Sequence, residues 1–295
     1  SGSLPKVYFL TGYGDGTIDD VYSGYAEAVA SDNYTVESLD LSSVDAVPSD
    51  TAIIYLAGAQ KDISAADREK LGDYIDNGGA IEILLPPSDA KGRFSNIEYL
   101  LAKFELAPDY NQISESNTSY QYRDRNDTQS ADYFRVTYPA PTEDYSEDLT
   151  TDLNVVLSSD SSIAGISHPR SFSALTSSSE LIEKAPIIEN LPTAQESNEY
   201  TVISTPMGGD DDTAAAAEAL TNTAVSLGWY SYNKQTGAKL VLIGTDEVIT
   251  NDGVSPNTTG TRLLALFSNT WLYDSDVSMG IGSKANSYDT MHFSS

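Results

Sequence analysis

An apolar run that ends in three glycines opens the chain, where residues 6–16 have the sequence KVYFLTGYGDG. The segment VYFL favours a β-strand and lacks polar alternation, which is typical of a strand covered on both faces. Gly12, Gly14 and Gly16 then allow backbone angles that residues with a side chain avoid. Apolar residues recur at helical spacing over 18–29. The stretch therefore predicts a strand, a glycine turn and a helix, the opening unit of an open α/β sheet.

Strand and helix patterns alternate over the rest of residues 4–108, which we interpret as the first half of this sheet. The further predicted strands are 34–41, 52–57 and 80–85, and the predicted helices are 17–31, one that starts at Ser64 and stops before Gly78, and 96–104. Because short loops join these elements, the alternation favours a parallel sheet with right-handed crossovers. The predicted fold class is an open, mostly parallel α/β sheet with helices on both faces.

The pattern changes at residues 109–150, which are rich in Tyr, Asp, Asn and Ser. They predict a tyrosine-rich β insertion with one or two edge strands, either an irregular surface excursion or a surface that recognises a partner. Residues 151–273 are predicted to complete the same α/β domain, and 274–295 to form a polar tail. In the second half, the predicted strands are 153–157, 185–188, 200–205 and 239–244, and the predicted helices are 213–227 and 261–273.

The charge of the chain is strongly negative, with 44 acidic against 16 basic residues and a net charge of -28 at pH 7. Such a surface repels nucleic acid phosphates and anionic lipids, so nucleic acid is not expected as a partner. The absence of cysteine excludes disulfides, Cys-ligated zinc and thiol nucleophiles. No apolar run approaches the ~18 residues of a membrane helix, so we expect membrane attachment only through segments outside this sequence.

The glycine turn at 12–16 invites comparison with a dinucleotide-binding fingerprint. The third glycine of that fingerprint falls on Thr17, and Asp15, Asp19 and Asp20 put negative charge where a pyrophosphate would bind. A nucleotide site is therefore not predicted. The turn is either purely structural or part of a site for a sugar or a polar peptide.

Acidic residues cluster after several predicted strands whose carboxyl ends are expected to converge. Carboxylates of this kind suit Ca²⁺ or Mg²⁺, but no EF-hand spacing is present, and a solvated acidic rim is the alternative. No metal or cofactor is predicted, although Asp210, Asp211, Asp212 and Asp252 are retained as metal candidates. The predicted ligand-binding residues are Gly12, Tyr13, Gly14, Asp15, Asp246 and Glu247.

Few residues are available for nucleophilic catalysis. The chain has two histidines, His168 and His292, and no G-x-S-x-G elbow follows a strand. A hydrolytic triad would have to use His168 as its base, and the alternative is a local hydrogen-bonding role for this residue. No catalytic residue is predicted.

Several segments occur in a fixed order along nearly the whole chain: KVYFLTGYGDG, AIIYLAGAQKDIS, AIEILLPP, NIEYLLAKF, His168–Pro169, KLVLIGTDEVITND and LLALFSNTWLY. Together they resemble the gliding-motility-type auxiliary proteins of ABC transporters, the GldG-like family. The opening segment is similar to the family's "fltGHGE" start. Tyr13 and Asp15 replace the histidine and glutamate usual there, so a role that depends on that pair is not carried over.

The resemblance implies a fold similar to flavodoxin-like and class I amidotransferase-like sandwiches. It implies a non-enzymatic domain at the extracytoplasmic face of the bacterial cell membrane, tethered by helices outside this sequence. A membrane permease and an ATPase of an ABC system are the implied partners. Binding of saccharide or cell-envelope material, attributed to related domains, is an alternative function, and a cryptic hydrolase is a further one.

Overall fold

A ten-stranded sheet forms the centre of the protein. The computed structural model describes residues 3–139, 149, 153, 157–177, 179–192, 201–210, 216–221, 224–253 and 256–273. No helix within these residues has the length and apolarity needed to cross a membrane.

The described residues contain fifteen strands and four α-helices for which both ends are described. The helices are α1 (Ser23–Ser31), α2 (Ala65–Asp76), α3 (Ser95–Ala102) and α4 (Thr259–Leu272). The strands are β1 (Lys6–Leu10), β2 (Thr35–Leu39), β3 (Thr51–Ala57), β4 (Ala80–Leu84), β5 (Leu106–Pro108), β6 (Asn111–Glu115), β7 (Gln121–Arg123), β8 (Gln129–Thr137), β9 (Gly165–Ser167), β10 (Phe172–Ala174), β11 (Ile182–Asn190), β12 (Thr201–Pro206), β13 (Glu218–Thr221), β14 (Ser226–Asn233) and β15 (Lys239–Ile243).

The central sheet has a parallel half and an antiparallel half, in the order β2-β1-β3-β4-β15-β14-β11-β8-β7, with β9 paired to β8. All pairings from β2 to β15 are parallel, which confirms the predicted parallel sheet for that half. From β14 onward the pairings are antiparallel. Two smaller sheets have the orders β10-β5 and β13-β12-β6. Because parallel strands share a direction, the loops after β1, β3, β4 and β15 meet at one carboxyl edge.

The sheet buries both of its faces, as the apolar first strand predicts. Val7 and Phe9 pack in one core with α1 and α4, and Tyr8 and Leu10 pack in the other with α2 and α3. Successive residues of a strand point to opposite faces, so a strand covered on both sides needs apolar residues at every position. The predicted helices on both faces are confirmed.

Helix α2 starts at its predicted capping residue, whereas α1 starts later than predicted. The Ser64 hydroxyl accepts a hydrogen bond from the Asp67 backbone N–H at 3.1 Å, which confirms the predicted start of α2. Helix α1 begins at Ser23, later than predicted, because residues 17–22 form turns in which the Tyr22 N–H bonds to the Thr17 carbonyl.

Two predicted elements have the wrong secondary structure. The alanine-rich helix expected at 213–227 is wrong, since β13 and the start of β14 lie there and pair with β12, β11 and β15. Helix propensity is worth less than about 1 kcal/mol per residue, and cross-strand pairing overrides it. The strand expected at 153–157 is also wrong where the structure describes it, because Leu153 and Leu157 are helical.

A carboxyl group lies inside the parallel half of the sheet. Glu82 is the central residue of β4, is fully buried, and has no hydrogen-bond partner for either carboxyl oxygen among the described residues. It pairs in register with Tyr55, whose hydroxyl donates to the Asn269 side chain and lies 2.9 Å from the Tyr25 hydroxyl. Burial raises the pKa of Glu82 well above 4.5.

We expect Glu82→Gln to remove the loss of folding stability that the wild type shows as pH rises. Glu82 stays protonated in the folded chain while it ionises in the unfolded chain, so its contribution is fully present below about pH 4.5 and is lost as pH rises toward the raised folded pKa. The free energy of unfolding of Glu82→Gln relative to the wild type should therefore increase with pH by up to about 1.4 kcal/mol per pH unit.

Urea denaturation between pH 5 and 8 measures this difference. Glu69→Gln, at a highly exposed carboxylate, is the control and should show no such slope. A pH-independent difference for Glu82→Gln would contradict a protonated Glu82.

Candidate functional site

The predicted glycine turn packs directly against the loop after β3. Gly12 adopts a left-handed conformation with φ 100°, whereas Gly14 does not. A Cβ atom on Gly14 would lie 2.2 Å from the Gly58 carbonyl oxygen, so a close backbone approach is what requires glycine there. The Gln60 N–H donates to the Tyr13 carbonyl at 2.8 Å, which ties the two loops together.

Two of the remaining predicted residues at the centre of the carboxyl edge, Tyr13 and Asp246, are bound to the protein's own groups. The Tyr13 hydroxyl donates to the Asp67 carboxylate on α2, and burial with this bond raises the pKa of Tyr13. The Tyr22 hydroxyl donates to Asp246 at 2.6 Å, and burial raises the pKa of that carboxyl. Asp15 is exposed. Asp246 lies beside Gly58, and Gly58 in turn contacts Gly14 of the glycine turn. These contacts fill the space between Asp246 and the turn.

Glu247 lies elsewhere, at a cavity of about 780 Å³ on the side of the antiparallel strands. We name this space the Glu247 cavity. Its walls are the β7–β8 hairpin, the residues after β9 and the residues after β15. The side chains that matter most for its chemistry are Arg123, Arg125, Tyr133, His168, Glu247 and Asp252.

The Glu247 carboxylate joins two neighbouring side chains. Ser167 Oγ donates to Glu247 Oε2 at 2.7 Å, and His168 Nδ1 lies 3.1 Å from both carboxylate oxygens. The bond to Glu247 raises the pKa of His168 above 6.5, because it favours the imidazolium more than burial disfavours it. Burial raises the pKa of Glu247, but the hydrogen bonds from His168 and Ser167 outweigh burial and lower it.

The backbone of His168 lies in the left-handed region, with φ 45°. This conformation is uncommon for a residue with a side chain and is concentrated at functional sites. It is held by a bond of 2.7 Å from the His168 N–H to the Asp132 carbonyl. The imidazole lies on the cavity wall with Nδ1 on Glu247, and Nε2 has no hydrogen-bond partner among the described residues.

The segment after His168 is anchored in the core. Arg170 is buried, and its Nε and Nη2 donate to the Pro86 carbonyl at 3.0 and 2.6 Å. Its backbone N–H bonds to the Gly244 carbonyl at 2.9 Å, next to the loop that carries Glu247. Burial lowers the pKa of Arg170 to about 10. Both sides of the pair His168–Glu247 are therefore fixed to the same end of β15.

The geometry favours binding over nucleophilic catalysis. A serine nucleophile needs its hydroxyl on the base, and Ser167 instead donates to Glu247. An aromatic pair lies beside these polar groups, with the rings of Tyr122 and Tyr133 5.1 Å apart. The arrangement offers an imidazole, guanidinium groups and an aromatic wall to a polar ligand.

The metal candidates do not assemble in the described part of the chain, which holds no group of three or more His, Asp or Glu side chains suited to an ion. Asp210 is exposed, and Asp252 lies 3.9 Å from Arg125 across the cavity mouth. Asp211 and Asp212 fall outside the described residues.

Sequence reasoning selected Glu247, considered His168 and Asp252, and offered the tyrosine-rich insertion that contains Tyr133 as a recognition surface. It missed Arg123 and Arg125, which lie in a polar stretch without motif, and Ser167, which immediately precedes the matched His168–Pro169 element. The sequence Arg123-Asp124-Arg125 is a signal that could have indicated the site, because it places two arginines close together in a strongly acidic chain.

No family model matches the sequence, and no curated protein matches it. Among solved structures, the fold is similar to the mmIFT52 N-terminal domain, with a TM-score of 0.57, 13% identity, and coverage of 90% of this chain and 97% of that one. A ThuA-like protein from Parabacteroides merdae aligns over 92% of this chain and 90% of its own, with 12% identity and a TM-score of 0.42. The likeness to the first shows a shared fold, a mixed α/β domain with a central sheet and helices.

Substitution of Gly14 by Ala is expected to destabilise the fold by roughly 1–3 kcal/mol, since the added Cβ overlaps the Gly58 carbonyl. Gly72→Ala in α2 is the matched control. A Cβ on Gly72 would meet only side-chain atoms at 3.6 Å or beyond, and alanine favours a helix by about 0.5–1 kcal/mol. Chemical denaturation of both variants measures the effect, and equal stability of Gly14→Ala and wild type would refute the close approach.

The pKa of His168 is expected to fall when Glu247 is replaced by Gln, because the neutral amide no longer favours the imidazolium. Proton NMR titration resolves this directly, since only His168 and His292 contribute imidazole signals. The exposed Glu218→Gln is the control and should leave the His168 titration unchanged. An unchanged titration in Glu247→Gln would show that the pair does not form in solution.

Proposed function

We propose that this chain is a non-enzymatic auxiliary domain of an ABC-type transport system that binds a polar ligand in the Glu247 cavity. The observation that carries the proposal is the shared use of Glu247 by Ser167 and His168. One carboxylate orients both donors before any ligand arrives, which lowers the entropic cost of binding. The same bond keeps the Ser167 hydroxyl away from a base, which supports a binding role.

The transport context comes from the family resemblance of the ordered sequence segments. In this proposal the chain works at the extracytoplasmic face of a bacterial membrane, tethered by helices outside this sequence, beside a permease and an ATPase. The finer fold assignment, a flavodoxin-like or class I amidotransferase-like sandwich, belongs to the same proposal. The sheet order and the helices on both faces support it.

A saccharide- or cell-envelope-binding module is the second candidate. The observation that favours it is the presence of Tyr133 and of the side-chain amides of Asn126 and Asn257 among the residues that line the cavity. Sugars bind to aromatic faces through their apolar patches and to amides and carboxylates through their hydroxyls. A hydrolase would additionally require Ser167 to leave Glu247 and bond to His168.

Affinity purification of the full-length protein from its native membrane tests the transport role. We expect an ATPase and a multi-helix permease to copurify in fixed ratio with it. A tagged, unrelated extracytoplasmic domain expressed in the same cells is the control. Purification free of both partners would contradict the auxiliary role, and glycan-array binding in that case would favour the saccharide module.

A further inference from the structure

Two arginines and a histidine meet at the Glu247 cavity of a strongly negative protein, beside the carboxylates of Asp124, Glu247 and Asp252. The chain carries 16 basic residues and a net charge of -28, yet Arg123, Arg125 and His168 line one cavity. Electrostatic repulsion from the rest of the surface works against an anionic ligand, so local cations are needed if an anion is to bind. The bonds of the nearby carboxylates determine whether these cations are available to a ligand.

Two of the cavity carboxylates are satisfied by groups other than the arginines. Asp124 Oδ1 accepts the backbone N–H groups of Asn126 and Thr128 at 2.8 and 2.9 Å, which shapes the hairpin turn. Glu247 accepts Ser167 and His168, as described above. These bonds occupy the carboxylate oxygens and hold them in place without removing their charge, and neither carboxylate forms an ion pair with Arg123 or Arg125 within 4.0 Å among the described residues.

The ion pairs that the arginines do make are long and exposed. Arg123 lies 3.5 Å from Asp127, and Arg125 lies 3.9 Å from Asp252, with all four side chains more than 60% exposed. Exposed pairs of this kind contribute little to stability, so a ligand can displace them at little cost. Arg123 Nη1 also donates to the Asp127 backbone carbonyl at 2.5 Å, and a ligand oxyanion would replace that acceptor or use the other N–H groups of the guanidinium. The planar guanidinium fork binds a carboxylate or a phosphate with two parallel hydrogen bonds.

The imidazole of His168 supplies a third donor whose charge depends on pH. The charged groups around it are Glu247, which it contacts, Asp132 on β8, and Arg125, Arg123, Asp124 and Asp252 across the cavity. Its Nε2 keeps no partner among the described residues. Protonation of this ring adds positive charge to the same cavity that holds the guanidinium groups.

Resting on the polar-ligand function above, we propose that the Glu247 cavity takes a hydroxyl-rich small molecule that bears an oxyanion, a carboxylate or a phosphate. The oxyanion lies against Arg123 and Arg125, with His168 as a further donor. The hydroxyl groups face Asn126 and Ser130, and Tyr133 provides the apolar wall. The volume of about 780 Å³ suits a molecule of one to three sugar-sized units.

Three probes with the same ring separate charge from shape: D-glucose, D-glucuronate and D-glucose 6-phosphate. Isothermal titration calorimetry at pH 6 is expected to give dissociation constants at least tenfold lower for the anions than for glucose. The double variant Arg123→Gln/Arg125→Gln should lose this preference. The control Lys61→Gln/Lys234→Gln changes the net charge equally outside the cavity and should keep it. Preference for glucuronate or for the phosphate identifies the oxyanion.

A pH series with glucuronate tests the imidazole. Its carboxylate stays ionised from pH 5.5 to 8, so the change in affinity reports on the protein. Affinity should fall by about two- to fivefold as pH rises through the raised pKa of His168. His168→Asn should remove that dependence, and asparagine tolerates the left-handed backbone that position 168 requires.

The outcomes separate this inference from the function on which it rests. Equal affinity for glucose and for both anions would overturn the oxyanion assignment and leave a neutral-ligand site in place. Anion binding that survives in Arg123→Gln/Arg125→Gln would also overturn it. Binding of none of the three probes overturns the ligand class, whereas copurification with a permease and an ATPase decides the auxiliary role independently.

Discussion

The close contact between the loops after β1 and β3 sets the shape of the carboxyl edge. The Gly58 carbonyl leaves no room for a side chain on Gly14, and Tyr22 with Asp246 closes on Gly58 from another direction. Ligands of open α/β sheets usually bind at this edge, where loops diverge. Here the loops at the centre of the parallel half converge, so the usual crevice is filled. The accessible polar side chains lie instead toward the antiparallel strands, at the Glu247 cavity.

The Glu247 cavity depends on two anchors that are fixed independently of any ligand. Arg170 bonds to the Pro86 carbonyl at the end of β4, and its N–H bonds to Gly244 just after β15. These contacts fix the segment that carries Ser167 and His168 relative to the loop that carries Glu247. A buried guanidinium held by carbonyl groups is costly to desolvate, which makes its position strongly specified once the fold is formed. The site is therefore built on the rigid part of the sheet.

Much of the parallel half could be predicted from local pattern, because apolar strands and capped helices carry their signals in adjacent residues. Ser64 starts α2 where its capping spacing indicates, and the run KLVLI forms β15. Residues 213–227 could not be assigned in this way, since alanine-rich composition favours a helix until pairing with β12 and β11 supplies the partners of a strand. The partner of Glu247 was equally hidden, because His168 lies 79 positions away in the sequence.

Residue types and their spacing were sufficient to predict the strand-turn-helix opening, the burial of both faces of the sheet, the acidic surface and the exclusion of cysteine chemistry. These properties depend on residue type and on short spacing alone. Contacts between distant parts of the chain place Asp246 at the glycine-turn edge, while Glu247, the next residue, joins Ser167 and His168 at a cavity. The backbone after β15 directs the Asp246 side chain toward the start of α1 and the Glu247 side chain toward β9. Long-range packing sets these two directions, so the adjacent carboxylates have different roles.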